Sequence, residues 1–208
     1  MTKKELLKGI YVLSDATLTP LETILSQIER VLKSGVSVVQ FREKYATDEA
    51  LEFTCRALGA LCKKYNALFI IDDRVHLAKK VDADGLHVGM DDVSYEEARE
   101  ILGDKIIGIS CYGDIERAKH YESLGVDYVA FGSFFPSPTK PKAKVVPLDV
   151  LERARRVLTI PICAIGGISA ENINAVAKSN IAMYSVISAV YKDDAIEENI
   201  KVLQDKIG

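Results

Sequence analysis

Val36-Ser-Val-Val-Gln-Phe-Arg42, then Asp48–Tyr65, then Ala67-Leu-Phe-Ile-Ile-Asp72 follow one another almost without interruption. The first and third stretches are short, apolar and rich in β-branched or aromatic residues, the pattern of buried strands. The middle stretch is three times as long and spaces its apolar residues at helical intervals. A strand, a helix and a strand in that order make a parallel pair, because the helix returns the chain to the end where the first strand began. The same unit recurs in both directions. Further strand-like runs are Ile10–Ser14, Asp84–Val88, Ile106–Ser110, Asp127–Gly132, Pro161–Ile165 and Ala182–Ser188, with helix-like sequence such as Leu21–Lys33 and Glu171–Lys178 between them.

Eight runs in strict alternation with helices leave nothing for a second domain, and polar residues crowd the ends of the runs. Asp15, Arg42-Glu43-Lys44, Asp72-Asp73, Asp91-Asp92, Ser110, Thr139-Lys140 and Ser188 all stand there. An open doubly wound sheet gathers its site at one switch point, whereas a barrel aims every strand end at one mouth. The expected fold is α/β: a single (β/α)₈ TIM barrel over residues 1–208, with its site at the mouth. A chain of 208 residues lies near the ~200-residue lower end for such a barrel.

Thirty acidic against twenty-seven basic residues give a formal charge of −3, which argues against a nucleic-acid or membrane-surface partner, since both favour a basic excess. No apolar run approaches a membrane span and no signal-peptide pattern opens the chain. Cys55, Cys62, Cys111 and Cys163 show no CxxC or zinc spacing, so they read as reduced, individually buried thiols of a cytoplasmic protein. The amphipathic outer helices are equally compatible with a monomer and a homo-oligomer.

Three groups of residues carry chemistry. Ile165-Gly-Gly-Ile168 leads into Ser169-Ala-Glu-Asn172 after the seventh strand, where barrels often hold a phosphate on backbone N–H groups; a tight turn with a helix cap is the plainer reading. Asp73 and Asp92 end neighbouring strands and could share a hard cation, or Asp73 could cap a helix. For Asp92 capping is disfavoured, because Ser94-Tyr-Glu-Glu97 already supplies a capping box. In Val38–Lys44, alternation sets Gln40, Arg42 and Lys44 on one face; with Val38 and Gln40 inward, two cations emerge at the mouth. Across from them, Gly132–Lys144 is the longest connection and carries three lysines, as lids and binding loops do. His87 reads as a hydrogen-bonded interior group, and His76 and His120 as helix-surface residues.

Gln40-Phe-Arg-Glu-Lys44, Asp72-Asp-Arg-Val75, Asp84–Asp92, Gly108-Ile-Ser110, Phe135–Lys140, Ala164–Ile168 and Val186-Ile-Ser188 together resemble the thiamine-phosphate synthase family, in order along nearly the whole chain. The resemblance implies condensation of 4-amino-2-methyl-5-hydroxymethylpyrimidine diphosphate with a thiazole phosphate, releasing pyrophosphate. It implies that Gln40, Arg42, Lys44, Asp72, Ser110 and Lys140 hold the pyrimidine diphosphate, with Arg42, Lys44, Ser110 and Lys140 catalytic. Asp73 and Asp92 would hold Mg²⁺, and Ser137, Pro138, Thr139, Gly167, Ile187 and Ser188 the thiazole phosphate. Two positions depart from the family pattern. Asp72 stands where Asn is usual, an unwelcome charge unless it faces the metal or is neutralised by Arg74. Met90 stands where Gln is usual. The competing readings are a thiazole tautomerase, which would need a proton-transfer histidine where this chain has Cys111-Tyr112, a non-catalytic barrel that binds thiamine precursors, and another phosphate-binding barrel such as a sugar-phosphate isomerase or aldolase.

Overall fold

The structure is a computed structural model and describes residues 2–137 and 143–208. Eight parallel strands close on themselves in chain order. They are β1 (Gly9–Leu13), β2 (Val38–Phe41), β3 (Leu68–Asp72), β4 (Gly85–Val88), β5 (Ile106–Tyr112), β6 (Tyr128–Phe131), β7 (Ile162–Ala164) and β8 (Met183–Val186). Around them run α1 (Ile24–Lys33), α2 (Asp48–Lys64), α3 (Val75–Lys80), α4 (Tyr95–Leu102), α5 (Ile115–Leu124), α6 (Asp149–Val157), α7 (Ile173–Ala177), α8 (Ser188–Tyr191) and α9 (Ile196–Ile207). The expected (β/α)₈ barrel is observed, with element ends shifted by a few residues. No helix among the described residues is long and apolar enough to cross a membrane.

Two-residue alternation sorts the strand side chains into two cores. Tyr11, Leu13, Val38, Leu68, Ile70, Ile106, Tyr128, Ala130, Cys163 and Met183 fill the barrel interior. Ile10, Val12, Val39, Phe41, Phe69, Ile71, Leu86, Ile107, Val129 and Val186 point outward and pack against the helices. A 3₁₀ turn at Lys3–Leu6 lies across the N-terminal end of the barrel, with Lys3 paired to Asp84 at 2.6 Å and Lys4 to Asp127 at 2.7 Å. That end is thereby closed, and the opposite end is left as the mouth.

Local chemistry sets the helix starts. The Thr47 hydroxyl accepts from Ala50 N, Ser94 from Glu97 N and Asp114 from Arg117 N, each filling a donor the first turn leaves open. All four cysteines are free and buried. Burial pushes the Cys55, Cys62 and Cys111 thiols up to about 12, so they are packing residues and not nucleophiles.

Candidate active site

At the mouth lies a cavity of about 180 Å³ that draws a wall from every strand end. Gln40, Arg42, Lys44, Asp72, Asp92 and Ser110 line one side of it; Ser137, Gly167, Ile187 and Ser188 line the other. The cation-rich end of β2 and the loops after β7 and β8 therefore face each other across one space. Asp73 follows Asp72 directly and turns off this lining. Pro138, Thr139 and Lys140 lie outside the described residues. A larger groove runs beside it, along α5 and α6, lined by Lys119, Arg153 and Arg156; it holds none of the strand-end acids.

Parallel register explains the cation cluster. Gln40 pairs with Ile70 and Asp72 with His87, so the inward faces of β2, β3 and β4 rise together toward the mouth. Gln40 is buried among interior side chains, and Arg42 and Lys44 emerge above it. Asp72 Oδ2 lies 3.0 Å from Lys44 Nζ and 3.5 Å from Arg42 Nε, while Asp15 approaches Arg42 at 4.0 Å. Lys44 also donates to Asp73. Burial works against the Lys44 ammonium, yet the Asp73 and Asp72 carboxylates overcome it and hold its pKa above the lysine norm. Asp73 is different: burial raises its carboxyl, Lys44 only partly offsets this, and the fields of Asp72 and Asp92 add to the rise. Arg42 and Lys44 together face Asp15, Asp72, Asp73 and the field of Asp92, so carboxylates outnumber cations in this corner.

Arg74 does not serve the purpose expected of it. Its guanidinium binds Asp48 at 2.6 Å and the Glu43 and Ala46 carbonyls, tying the β2–α2 loop to α3. Asp72 is neutralised by Arg42 and Lys44 instead. Asp92 also has a backbone task that its sequence context did not suggest: its Oδ2 accepts from Gly89 N at 2.6 Å, closing the turn after β4. Met90 is 57% exposed and outside the cavity lining, so the missing amide at that position costs the cavity wall nothing.

The Gly166-Gly167 pair also has a packing role. Both residues have positive φ, +103° and +62°. A Cβ at Gly166 would lie 2.0 Å from Ser133 Oγ, and one at Gly167 would lie 2.5 Å from the Pro136 carbonyl oxygen. The glycines are required chiefly because the β6–α6 loop is pressed against them. The helix also starts later than expected, at Ile173. Ser169 N is taken by Asn172 Oδ1, and Asn172 Nδ2 donates to the Gly167 carbonyl. Among the described residues no backbone acceptor takes the Gly166 and Gly167 N–H groups.

Two interior residues went unremarked in the sequence. Tyr11 and Tyr128 meet hydroxyl to hydroxyl at 2.9 Å; Gln40 Nε2 donates to Tyr11 at 3.1 Å, and Tyr128 lies 2.9 Å from His87 Nδ1. His87 Nε2 is 2.9 Å from Ser110 Oγ. His87 is thus the hydrogen-bonded interior group expected, and His76 and His120 are exposed. Alternation would have placed both tyrosines inward; nothing local shows that they meet. Ser185 Oγ, also on the cavity wall, is buried without a protein partner among the described residues.

A closed parallel barrel whose mouth joins a cation–carboxylate cluster to a glycine turn after β7 has the arrangement of phosphate-handling enzymes. Residues 10–190 match the family model for thiamine monophosphate synthase. The thiamine-phosphate synthase of Thioalkalivibrio sulfidiphilus is 43% identical over 188 residues, covering 90% of this chain and 89% of that one. That of Wolinella succinogenes is 42% identical over 187 residues, covering 89% and 86%. Thiamine phosphate pyrophosphorylase from Pyrococcus furiosus superposes over the full length of both chains with a TM-score of 0.89 at 34% identity. The chain belongs to the thiamine monophosphate synthase family and is a transferase.

Proposed function

We propose that the protein joins 4-amino-2-methyl-5-hydroxymethylpyrimidine diphosphate to a thiazole phosphate, giving thiamine phosphate and pyrophosphate. The observation that carries this reading is the single cavity with cations and carboxylates on one wall and the glycine turn with Ser188 on the other. It is the arrangement two phosphorylated substrates need if their reacting ends are to meet between their anchors.

In this reading Arg42 and Lys44 hold the diphosphate, joined by Lys140 from the long loop, and Gln40 and Ser110 orient the pyrimidine. Ser137, Pro138, Thr139, Gly167, Ile187 and Ser188 anchor the thiazole phosphate. The methylene–oxygen bond of the pyrimidine diphosphate breaks, the electron pair leaving with pyrophosphate. The electron-rich aminopyrimidine supports the cation left behind, and the thiazole nitrogen adds to it. Arg42 and Lys44 are preorganised where leaving-group charge grows, an effect typically worth about 3–4 kcal/mol for one such donor. The phosphate anchor supplies proximity. No proton need be removed from carbon, so no general base is required.

Asp73 and Asp92 are the residues we assign to Mg²⁺, and their chemistry fits: hard oxygen donors, Asp73 partly buried and Asp92 exposed, at a corner where carboxylates outnumber cations. When bound, the ion would neutralise the diphosphate and the developing charge on pyrophosphate. Among the described residues no group of three or more acidic, histidine or cysteine side chains is arranged for a metal. A tautomerase would need a proton-transfer group at the end of β5, where this chain has Cys111-Tyr112. Cys111 there is buried, with its thiol pushed up to about 12 by that burial, and cannot serve.

The test is an assay of purified protein with both substrates and Mg²⁺, following thiamine phosphate and pyrophosphate together. Equimolar products that vanish with EDTA and return with Mg²⁺ are expected. Pyrimidine and thiazole binding without turnover would replace the reading by a precursor-binding barrel.

A further inference from the structure

The hydrogen bonds that begin at Gln40 and end at Ser110 form one continuous buried chain. It runs from β2 through Tyr11 on β1 and Tyr128 on β6 to His87 on β4 and Ser110 on β5. Gln40, His87 and Ser110 touch the cavity, whereas Tyr11 and Tyr128 do not. The chain therefore crosses the barrel beneath the site and surfaces at both ends.

Its geometry is specified elsewhere in the sequence. A Cβ on Gly108 would lie 2.0 Å from Tyr128 Cζ and 2.4 Å from its hydroxyl, so only glycine lets the Tyr128 ring reach His87. The His87 ring stacks on Tyr128 at 5.6 Å between centroids, and Tyr11 meets Tyr128 edge-on at 6.0 Å. Burial raises the pKa of both phenols well above the ordinary tyrosine value, so each keeps its one proton.

Proton counting gives the chain a direction. An amide N–H can only donate, and each phenol has one proton to give. With Gln40 donating to Tyr11, the Tyr11 proton goes to Tyr128 and the Tyr128 proton to His87 Nδ1. His87 Nδ1, as acceptor, leaves the ring proton on Nε2, which donates to Ser110 Oγ, leaving the Ser110 proton pointed away from the chain. We propose that Tyr11, Tyr128 and His87 are positioning residues that order this chain so that Ser110 is fixed as a hydrogen-bond donor to an acceptor atom of the substrate. The identity of that substrate, the pyrimidine diphosphate, rests on the synthase reading. A serine hydroxyl is otherwise free to rotate between donor and acceptor roles. Removing that freedom beforehand favours a ligand that presents a ring nitrogen or phosphate oxygen over one that presents a donor.

The histidine tautomer can be read without substrate. The chain has three histidines, and a two-bond ¹H–¹⁵N spectrum of ¹⁵N-histidine protein distinguishes them, with His87→Asn supplying the assignment. The expected result is the Nε2–H form for His87 in the wild type and a mixture of tautomers in Tyr128→Phe. In turnover, Tyr128→Phe raises KM for the pyrimidine diphosphate about 5- to 10-fold, the worth of one neutral hydrogen bond, and leaves KM for the thiazole phosphate unchanged. Adding Tyr128→Phe to Ser110→Ala costs nothing further, because the tyrosine acts only through the serine. Tyr11→Phe, one link earlier, gives the same signature in weaker form and stands in if Tyr128→Phe does not fold. An Nδ1–H form in the wild type, unchanged KM in both phenylalanine variants, or additive losses with Ser110→Ala would each overturn the proposal. An Nε2–H tautomer lost in Tyr128→Phe, in a protein that makes no thiamine phosphate, would uphold the ordered chain and overturn the synthase reading instead.

Discussion

Replacing Asp72 by Asn should tighten binding of the pyrimidine diphosphate. In the free protein Asp72 competes for the two cations that the diphosphate needs, at 3.0 Å from Lys44 and 3.5 Å from Arg42. Two unit charges 3 Å apart attract by about 1.4 kcal/mol in bulk water and by about 5 kcal/mol at an effective dielectric constant of ~20. Lys44 is 38% exposed and Asp72 14%, so solvent screening brings the figure toward the lower end. Asn keeps the size and one hydrogen-bond acceptor but removes the charge, releasing about 1–2 kcal/mol of competing interaction. The asparagine variant should then show KM for the pyrimidine diphosphate lower by about tenfold. Titration with inorganic pyrophosphate and Mg²⁺ should shift in parallel, and the gain should shrink at high salt as screening grows. The corner keeps Asp15 near Arg42 at 4.0 Å and Asp73 on Lys44, so the cations are not left bare and the fold should be unchanged. A KM that is unchanged or higher would refute the reasoning. It would mean that Asp72 faces the metal and contributes more as a ligand than it costs as a competitor.

Asp73→Asn should raise the melting temperature of the metal-free protein while abolishing Mg²⁺-dependent turnover. The backbone there is left-handed, with φ of +56°, a conformation Asn tolerates well, and the variant removes one of the crowded carboxylates. A lower melting temperature would refute the crowding. Gly108→Ala places a methyl 2.0 Å from the Tyr128 ring and should cost about 1–3 kcal/mol in urea unfolding; wild-type stability would show that the ring is not fixed there. Hydrogen bonds from Arg30 hold the Glu197 carboxyl down at about 2, so its stabilising effect is present above the unfolded value of about 4.3 and fades as pH falls toward 2. Glu197→Gln should therefore melt lower than wild type at pH 7 and converge with it near pH 2; a constant gap would refute the link between α1 and α9. Lys140→Ala should lower kcat sharply with no change in melting temperature, and near-normal turnover would remove that lysine from the catalytic set.

What could be read from the sequence and what could not divide along one physical line. Period-two alternation is a property of each strand alone, so Val38 and Gln40 inward, with Arg42 and Lys44 above them, followed from Val38–Lys44 without knowledge of any neighbour. Eight such runs then left closure as the one arrangement in which every strand end meets the others. What the sequence left out were the partners that folding and turns supply. Arg74 sits beside Asp72 in sequence, but its guanidinium belongs to Asp48 and the β2–α2 loop. Asp92 was freed from capping by Ser94, yet Gly89 N claims one of its oxygens. The glycines at 166 and 167 read as room for a ligand; the packing of Ser133 and Pro136, from another loop, where their side chains would go was not legible there.

The same line explains why the inward chain from Gln40 to Ser110 escaped notice. Its links join residues up to 117 positions apart, and local periodicity shows none of these pairings. Gly108 records that chain most clearly, because glycine in a buried strand interior weakens the strand unless something must pass close by. What passes is Tyr128, from the next strand. A glycine at such a position is therefore better read as the footprint of a large partner on the adjacent strand than as slack in the sheet. By that reasoning Gly85, whose added Cβ would lie 2.3 Å from the Ile106 carbonyl oxygen and 2.9 Å from Ile70 Cδ1, marks the bottom of the same packed interior. The barrel holds its polar chain because Gly108 gives up a side chain to make room for Tyr128.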